Sequence, residues 1–151
     1  MEWLKQHDLW KELAPSEVGY IDTPTPSREQ TINASWLSER LVVILWALQA
    51  LNELPKPYEQ CDPTAFREIL PPYAAVGVAD FIASAKLRVP SELIAMADEL
   101  LELHWEARDA RIKGRHPSPP VDLGIIQERH HAINWLIGYD RLEWDEVTTD
   151  T

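Results

Sequence analysis

Two segments in the C-terminal third set the hardest constraint on how this chain folds. They are Leu103-His104-Trp105-Glu106-Ala107-Arg108-Asp109-Ala110-Arg111 and Glu128-Arg129-His130-His131-Ala132-Ile133-Asn134-Trp135-Leu136. Both have the apolar spacing of helices, and both carry charged side chains inside the sector that this spacing turns toward a core. A buried charge is costly unless it is paired and hydrogen-bonded. The two segments are therefore expected to face each other, and their polar cluster is where chemistry is sought first.

Placing Ile94 at zero and advancing about 100° per residue defines the faces of the longer helix. Ile94, Ala97, Leu101, Trp105 and Ile112 share one broad face with Leu93 and Leu100, which predicts the core side. Glu99, Glu102 and Glu106 fall opposite, toward water. His104, Arg108 and Arg111 lie inside the apolar sector, with Asp98 and Asp109 on its edge. On the last helix Ile125, Ala132, Leu136 and Trp135 predict the buried face, with Arg129 in its middle, Glu128 at its edge, and His131 and Asn134 turned outward.

Three readings of this set stay open. Asp98, Asp109 and Glu128 can take hydrogen bonds from Arg108, Arg111, Arg129 and His104 in a structural inter-helix network, a task that suits the planar guanidinium fork. Alternatively some of these side chains, His104, Arg108, Asp109, Glu128 and Arg129, face an inter-helix cleft, with a carboxylate beside His104 as a general acid/base pair or the arginines holding an anionic ligand. A metal site is the third reading, on His104, Glu128, His131 and Asp98. The familiar spacings are missing, however: Glu128 to His131 is one Glu/His pair at i,i+3, where di-iron bundles use two with further glutamates. No metal or other cofactor is expected.

Other templates find no match. The chain has no glycine-rich phosphate loop, no nucleophile elbow and no dinucleotide-binding turn. Cys61, the one cysteine, precedes Asp62-Pro63 without a cationic neighbour and reads as an ordinary turn thiol. A single cysteine also excludes an internal disulfide. Seven tryptophans suggest ligand stacking, but Trp36, Trp46, Trp105 and Trp135 fall at core spacing, so packing is expected for them. Trp144, in the acidic tail, either docks that tail on the helices or marks a partner site.

Charge narrows the partners. Against 14 Lys and Arg stand 25 Asp and Glu, a formal net charge of -11. Such a surface disfavours nucleic acid, whose affinity comes mainly from cations on phosphates, and equally disfavours anionic membranes. It suits a basic protein partner, or simply solubility. The longest apolar run, Leu41 to Leu48, is far short of the ~20 residues that span a bilayer. No signal core follows Met1, and a cytoplasmic location is expected.

Proline clusters divide the chain into helical stretches. A short helix is predicted over Trp3 to Leu13, then a loop from Pro15 to Pro26. Ser27 caps Arg28 to Ile32, and Ser35 opens another helix. Trp36 to Asn52, apolar around its circumference, is the predicted buried central helix. Asp62-Pro63 opens a helix to about Leu70, and Pro71-Pro72 another to about Lys86. Ser91 caps a long helix from Glu92 to about Lys113, stopped by Gly114. Asp122 caps the last, which ends near Gly138. No stretch shows sustained period-two alternation, so the expected fold is all-α: one compact domain over residues 1–151, six or seven helices around the central one.

Several segments, in order, resemble a bacterial family, domain of unknown function 4272: Leu13-Ala14-Pro15-Ser16-Glu17, Ser35-Trp36, Leu45-Trp46-Ala47-Leu48 and Cys61-Asp62-Pro63, then His104-Trp105 with Arg108-Asp109-Ala110-Arg111, Glu128-Arg129-His130 with Asn134-Trp135-Leu136, Trp144-Asp145-Glu146-Val147 and Asp150-Thr151. Each piece is common, but the joint pattern is specific. The resemblance implies a helical, soluble bacterial protein and no activity.

Two functions of different classes are compatible with these features. One is a small non-enzymatic binding or interaction protein whose acidic surface holds a basic partner, as an immunity-type protein holds a toxin, or a regulatory protein. The other is an enzyme or small-ligand binder built on the Arg/His/carboxylate cluster. A dry, paired cluster favours the first, an open cleft with unpaired donors the second. Oligomeric state is not legible, since no dimer face stands out. Because the tail belongs to the resemblance, Trp144 to Thr151 is expected to be anchored on the helical body, with Asp150 near the arginines. Deleting Asp145 to Thr151 should clearly lower the melting temperature; an unchanged thermal unfolding curve would contradict that anchoring.

Overall fold

The computed structural model describes residues 1–71 and 73–151, and among these it contains helices and no strand. Six α-helices follow in chain order: α1 (Glu2–Gln6), α2 (Pro15–Ile21), α3 (Arg28–Ala47), α4 (Val78–Ser84), α5 (Pro90–Ile112) and α6 (Leu123–Leu136). Short 3-10 turns occur at Trp10–Glu12, Pro63–Glu68, Tyr139–Arg141 and Trp144–Glu146. The all-α expectation holds. The chain divides into two compact units, Met1–Ser35 with Asp62–Ala85, and Trp36–Cys61 with Lys86–Thr151.

In the first unit the helix starts reflect local chemistry. The α1 stretch stops at Gln6 because Asp8 takes a positive φ of 57°, so the single helix predicted over Trp3 to Leu13 is two short pieces. The predicted loop after Pro15 contains α2: Pro15 supplies a fixed φ where no N–H is needed, and the Glu17 carboxylate accepts the Ala14 N–H at 2.9 Å. Ser27 caps α3 in a reciprocal box, its Oγ accepting the Gln30 N–H while Gln30 Oε1 accepts the Ser27 N–H. Ser35 starts no new helix. Its hydroxyl donates back to the Ile32 carbonyl within the continuous α3. Asp62 caps as predicted, accepting from the Thr64 N–H, but the element it opens is a 3-10 turn ending at Glu68. The helix predicted from Pro71-Pro72 is only α4, opened at Gly77; Pro72 lies outside the described residues.

The second unit holds the continuous core. Val42, Val43, Leu45, Trp46 and Ala47 of α3 are buried, as are Leu93, Ala97, Leu100, Ala107 and Ala110 of α5 and Ile125, Ile126, Ala132 and Ile133 of α6. The α3 helix ends at Ala47, short of the predicted Asn52; Gln49 at φ 60° breaks it there. Arg88 secures this end, its guanidinium donating to the carbonyls of Trp46, Leu51 and Asn52 and lying over the Trp46 ring. Pro90, not Glu92, opens α5, so Ser91 sits inside the helix and the cap position is Val89. Asp122 caps α6 as predicted, accepting the Ile125 N–H at 3.0 Å. Gly114 (φ 63°) and Gly138 (φ 68°) succeed the two long helices in the left-handed region that glycine enters without a Cβ penalty.

The largest departure is the rotation of α5. Its buried stripe is Leu93, Ala97, Leu100, His104, Ala107 and Ala110, spaced by threes and fours, and it packs along α6. Ile94, Leu101, Trp105 and Ile112, predicted as core, are exposed by 53, 42, 56 and 80 %. Small alanines at 97, 107 and 110 let the helices approach closely, a signal that a search for large apolar residues passes over.

Candidate functional site

Every polar side chain of interest lies in the second unit, distributed over α3, α5, α6 and the tail. The deepest is Arg129, 1 % exposed, on the buried face of α6. Its Nε and Nη2 both reach Glu39 Oε2 of α3 at 2.9 Å, and Glu39 is equally buried. The remaining donors go to backbone: Nη1 to the carbonyls of Pro55 (2.6 Å) and Lys56 (3.4 Å), Nη2 to that of Glu59 (3.2 Å). The second Glu39 oxygen accepts the Cys61 N–H at 2.7 Å. A buried charge pair is thus fully partnered, and it gathers the 55–61 segment between α3 and α6. Burial pushes the Cys61 thiol up to about 11, which makes it inert as a nucleophile near neutral pH.

Arg40, the next residue on α3, makes a second group. Its Nε donates to Glu128 Oε2 at 2.5 Å and its Nη1 to His131 Nε2 at 3.1 Å. Its guanidinium also lies 5.6 Å from the Trp144 ring centroid. Trp144 stands edge-on to His131 (4.9 Å) and to Trp135 (5.2 Å). An arginine cannot accept a hydrogen bond, so His131 Nε2 is the acceptor and the ring is neutral, with its proton on Nδ1. That Nδ1 faces the Trp144 backbone, whose pull on its proton works against the lowering of the pKa, but among the described residues no acceptor meets it in good hydrogen-bond geometry. Burial, then the neighbouring Arg40, hold the His131 pKa down at about 4.

His104 and His130 form a third group across the α5–α6 contact, Nδ1 to Nδ1 at 3.0 Å with rings nearly perpendicular. One nitrogen donates and the other accepts, so only one of the two carries a proton there. Burial lowers His130 to about 4, helped by His104 and His131. His104 is lowered too, by burial first and Arg108 second.

The remaining predicted residues lie at the surface. Asp109 bonds Lys113 and Arg115, and Arg115 clasps Glu106 with both terminal nitrogens (2.6 and 2.9 Å). Glu106 Oε1 also accepts the Ser118 N–H, which folds the loop after α5 back onto it. The hydrogen bonds from Arg115 and Ser118 hold the Glu106 carboxyl near 2. Those from Lys113 and Arg115 lower Asp109. Arg108 donates through Nη1 to the carbonyl and hydroxyl of Thr151, both at 2.8 Å. Asp98 and Arg111 are exposed.

Two predicted features are corrected by this placement. The seven residues Asp98, His104, Arg108, Asp109, Arg111, Glu128 and Arg129 do not pair among themselves. Their partners are Glu39 for Arg129, Arg40 for Glu128 and His130 for His104, and the α5 rotation carries Arg108, Arg111 and Asp98 outward. On α6, His131 and Asn134 are buried rather than outward, while Trp135 is 41 % exposed. Sequence reasoning missed Glu39, Arg40 and His130. The signal was present: a Glu-Arg pair within an otherwise apolar buried helix demands partners of opposite charge.

One expectation meets the structure well and another only in part. The tail is anchored, with Val147 buried and Asn134 Nδ2 donating to the Thr148 carbonyl; the contact to the arginine is made by Thr151 rather than Asp150. Of the four tryptophans expected to pack in the core, Trp46 is buried and Trp36 half-buried, whereas Trp105 and Trp135 are exposed. Among the described residues no three His, Cys, Asp or Glu side chains converge as a metal site requires, and no helix is long and apolar enough to cross a membrane.

The sequence model of the family described as "Domain of unknown function (DUF4272)" matches residues 1–147. No curated protein and no solved structure matches the chain.

The histidine groups give a pH dependence with a definite sign. His130 and His131 have folded-state pKa values near 4 against 6.5 for the free side chain. The unfolded chain therefore binds more protons between those values, and stability must fall as the pH drops from about 6.5 to about 4. The loss for His131 alone is on the order of 3 kcal/mol. Urea unfolding at pH 7.5, 6, 5 and 4.5 should show this decline, and His131→Gln should flatten part of it. A profile level over that range would contradict the buried neutral assignment.

Proposed function

The chain belongs to the DUF4272 family, and from that premise and its own geometry we propose that it is a non-enzymatic binding or interaction protein of the cytoplasm, whose acidic surface holds a basic protein partner in the manner of an immunity-type or regulatory protein. The observation that carries this reading is the closed polar interior. The Glu39–Arg129 pair spends its donors and acceptors on itself and on the 55–61 backbone. Arg40 is committed to Glu128 and His131, and His104 to His130. A general acid/base pair must present its proton to a substrate, and these groups present theirs to one another. The net charge of -11 supplies the long-range attraction that a basic partner would feel.

One observation favours the ligand-binding alternative. His131, buried beside the Trp144 ring with only the Trp144 backbone near its Nδ1, is the kind of position a small ligand would fill. A thermal-shift screen against metals, nucleotides, phosphosugars and small carboxylates separates the two readings. It is run on the wild type, on Arg129→Ala and on His131→Gln. The interaction reading expects no compound to raise the wild-type melting temperature, and a strong destabilisation by Arg129→Ala. A compound that stabilises the wild type but leaves His131→Gln unmoved would replace it with the ligand reading.

A further inference from the structure

The face of α5 left open by its rotation is self-complementary. Ile94, Asp98, Leu101, Trp105, Arg108 and Ile112 succeed one another at spacings of four, three, four, three and four, the repeat that forms a continuous seam on a helix. All six are exposed. The sequence along the seam is symmetric in kind about residue 103. Ile94 mirrors Ile112, Leu101 mirrors Trp105, and Asp98 mirrors Arg108, an acid against a base.

We propose that this seam is the interface of a homodimer, in which the α5 helices of two copies pack antiparallel about a two-fold axis beside residue 103. A two-fold interface requires one patch to complement itself, each residue facing its mirror residue on the other copy. Here that condition places Ile94 on Ile112, Leu101 on Trp105 and Asp98 on Arg108, each contact made twice. Arg108 uses Nη1 on Thr151 and keeps other guanidinium N–H groups for a carboxylate. The exposed Asp98 carboxylate supplies one.

The same pattern argues against other occupants. A basic segment of another protein would meet Arg108 in mid-seam, and an acidic one would meet Asp98, whereas a second copy satisfies both. The four apolar side chains present on the order of 500 Å² in total, within the range of the largest apolar patch on a typical monomer, a patch that is often functional. Glu99 and Glu102 lie to one side of the seam, so the carboxylates that would repel between copies stay at the solvated rim. This dimer does not depend on the acidic surface holding a basic protein, because it rests on the residues of the α5 seam and not on the net charge.

Sedimentation velocity over a concentration series, with the full chain and charge-reversal variants, tests the proposal. The wild type should rise from the mass of the 17.3 kDa chain toward twice that value. Asp98→Arg and Arg108→Asp should each weaken association by about tenfold or more, since each places like charges opposite one another twice. The double variant Asp98→Arg/Arg108→Asp should restore it. Asp98 is exposed, so Asp98→Arg is expected to fold, and the far-ultraviolet circular dichroism melt of each variant verifies this. Trp105→Ser should abolish the dimer without lowering the melting temperature of the monomer. A wild type that stays monomeric at every concentration would overturn the proposal. So would a dimer indifferent to the single reversals, or one that the double variant fails to restore.

Discussion

The second unit depends on one buried ion pair. Glu39 and Arg129 sit on different helices, far apart in the chain, and each is essentially sealed from water. Two such charges lose several kcal/mol of solvation each, a cost recovered only when geometry and further hydrogen bonds are both good. Here both conditions hold. Three backbone carbonyls and one backbone N–H complete the coordination, and all four come from the segment 55–61. The pair thereby fixes more than the α3–α6 contact. It determines the path of the connecting segment, which is further tied to the start of α6 by the Asp122 N–H on the Pro57 carbonyl.

Once α6 is set by Arg129, the neighbouring side chains have few options. Glu128 is presented to Arg40, and His131 to the same guanidinium one turn later. His130 points the other way, into α5, where it finds His104. Trp144 then closes over His131 and Trp135, and Asn134 holds the tail through Thr148. The histidines in this arrangement are neutral hydrogen-bonding wedges rather than charge carriers. That explains how three imidazoles and two arginines share one interior without a surplus of buried positive charge.

Local chemistry made part of this fold legible in the sequence. The Ser27 and Asp122 caps, the glycine stops and the all-helical pattern could be read because each is decided within a few residues. So could the requirement that Arg129 be paired, which comes from a charge on an apolar face. The identity of its partner was not legible, because Glu39 lies far away in a helix whose apolar surround drew attention from its own charge. The rotation of α5 was hidden for a related reason. Large side chains outweigh small ones in any hydrophobic pattern, whereas tight helix packing selected the alanines at 97, 107 and 110 and left Trp105 outside. The exposed seam is thus the remainder of that choice, and it carries the surface chemistry of α5.

The claim that the Glu39–Arg129 pair organises the unit is tested most directly by a double-mutant cycle with Glu39→Gln and Arg129→Met, read by urea unfolding at pH 7. Each single variant strands a buried polar group and should lose on the order of 3–5 kcal/mol, whereas the double variant should lose clearly less than the sum. Effects that add to within about 0.5 kcal/mol would mean that the two side chains do not act on each other, and would contradict the account.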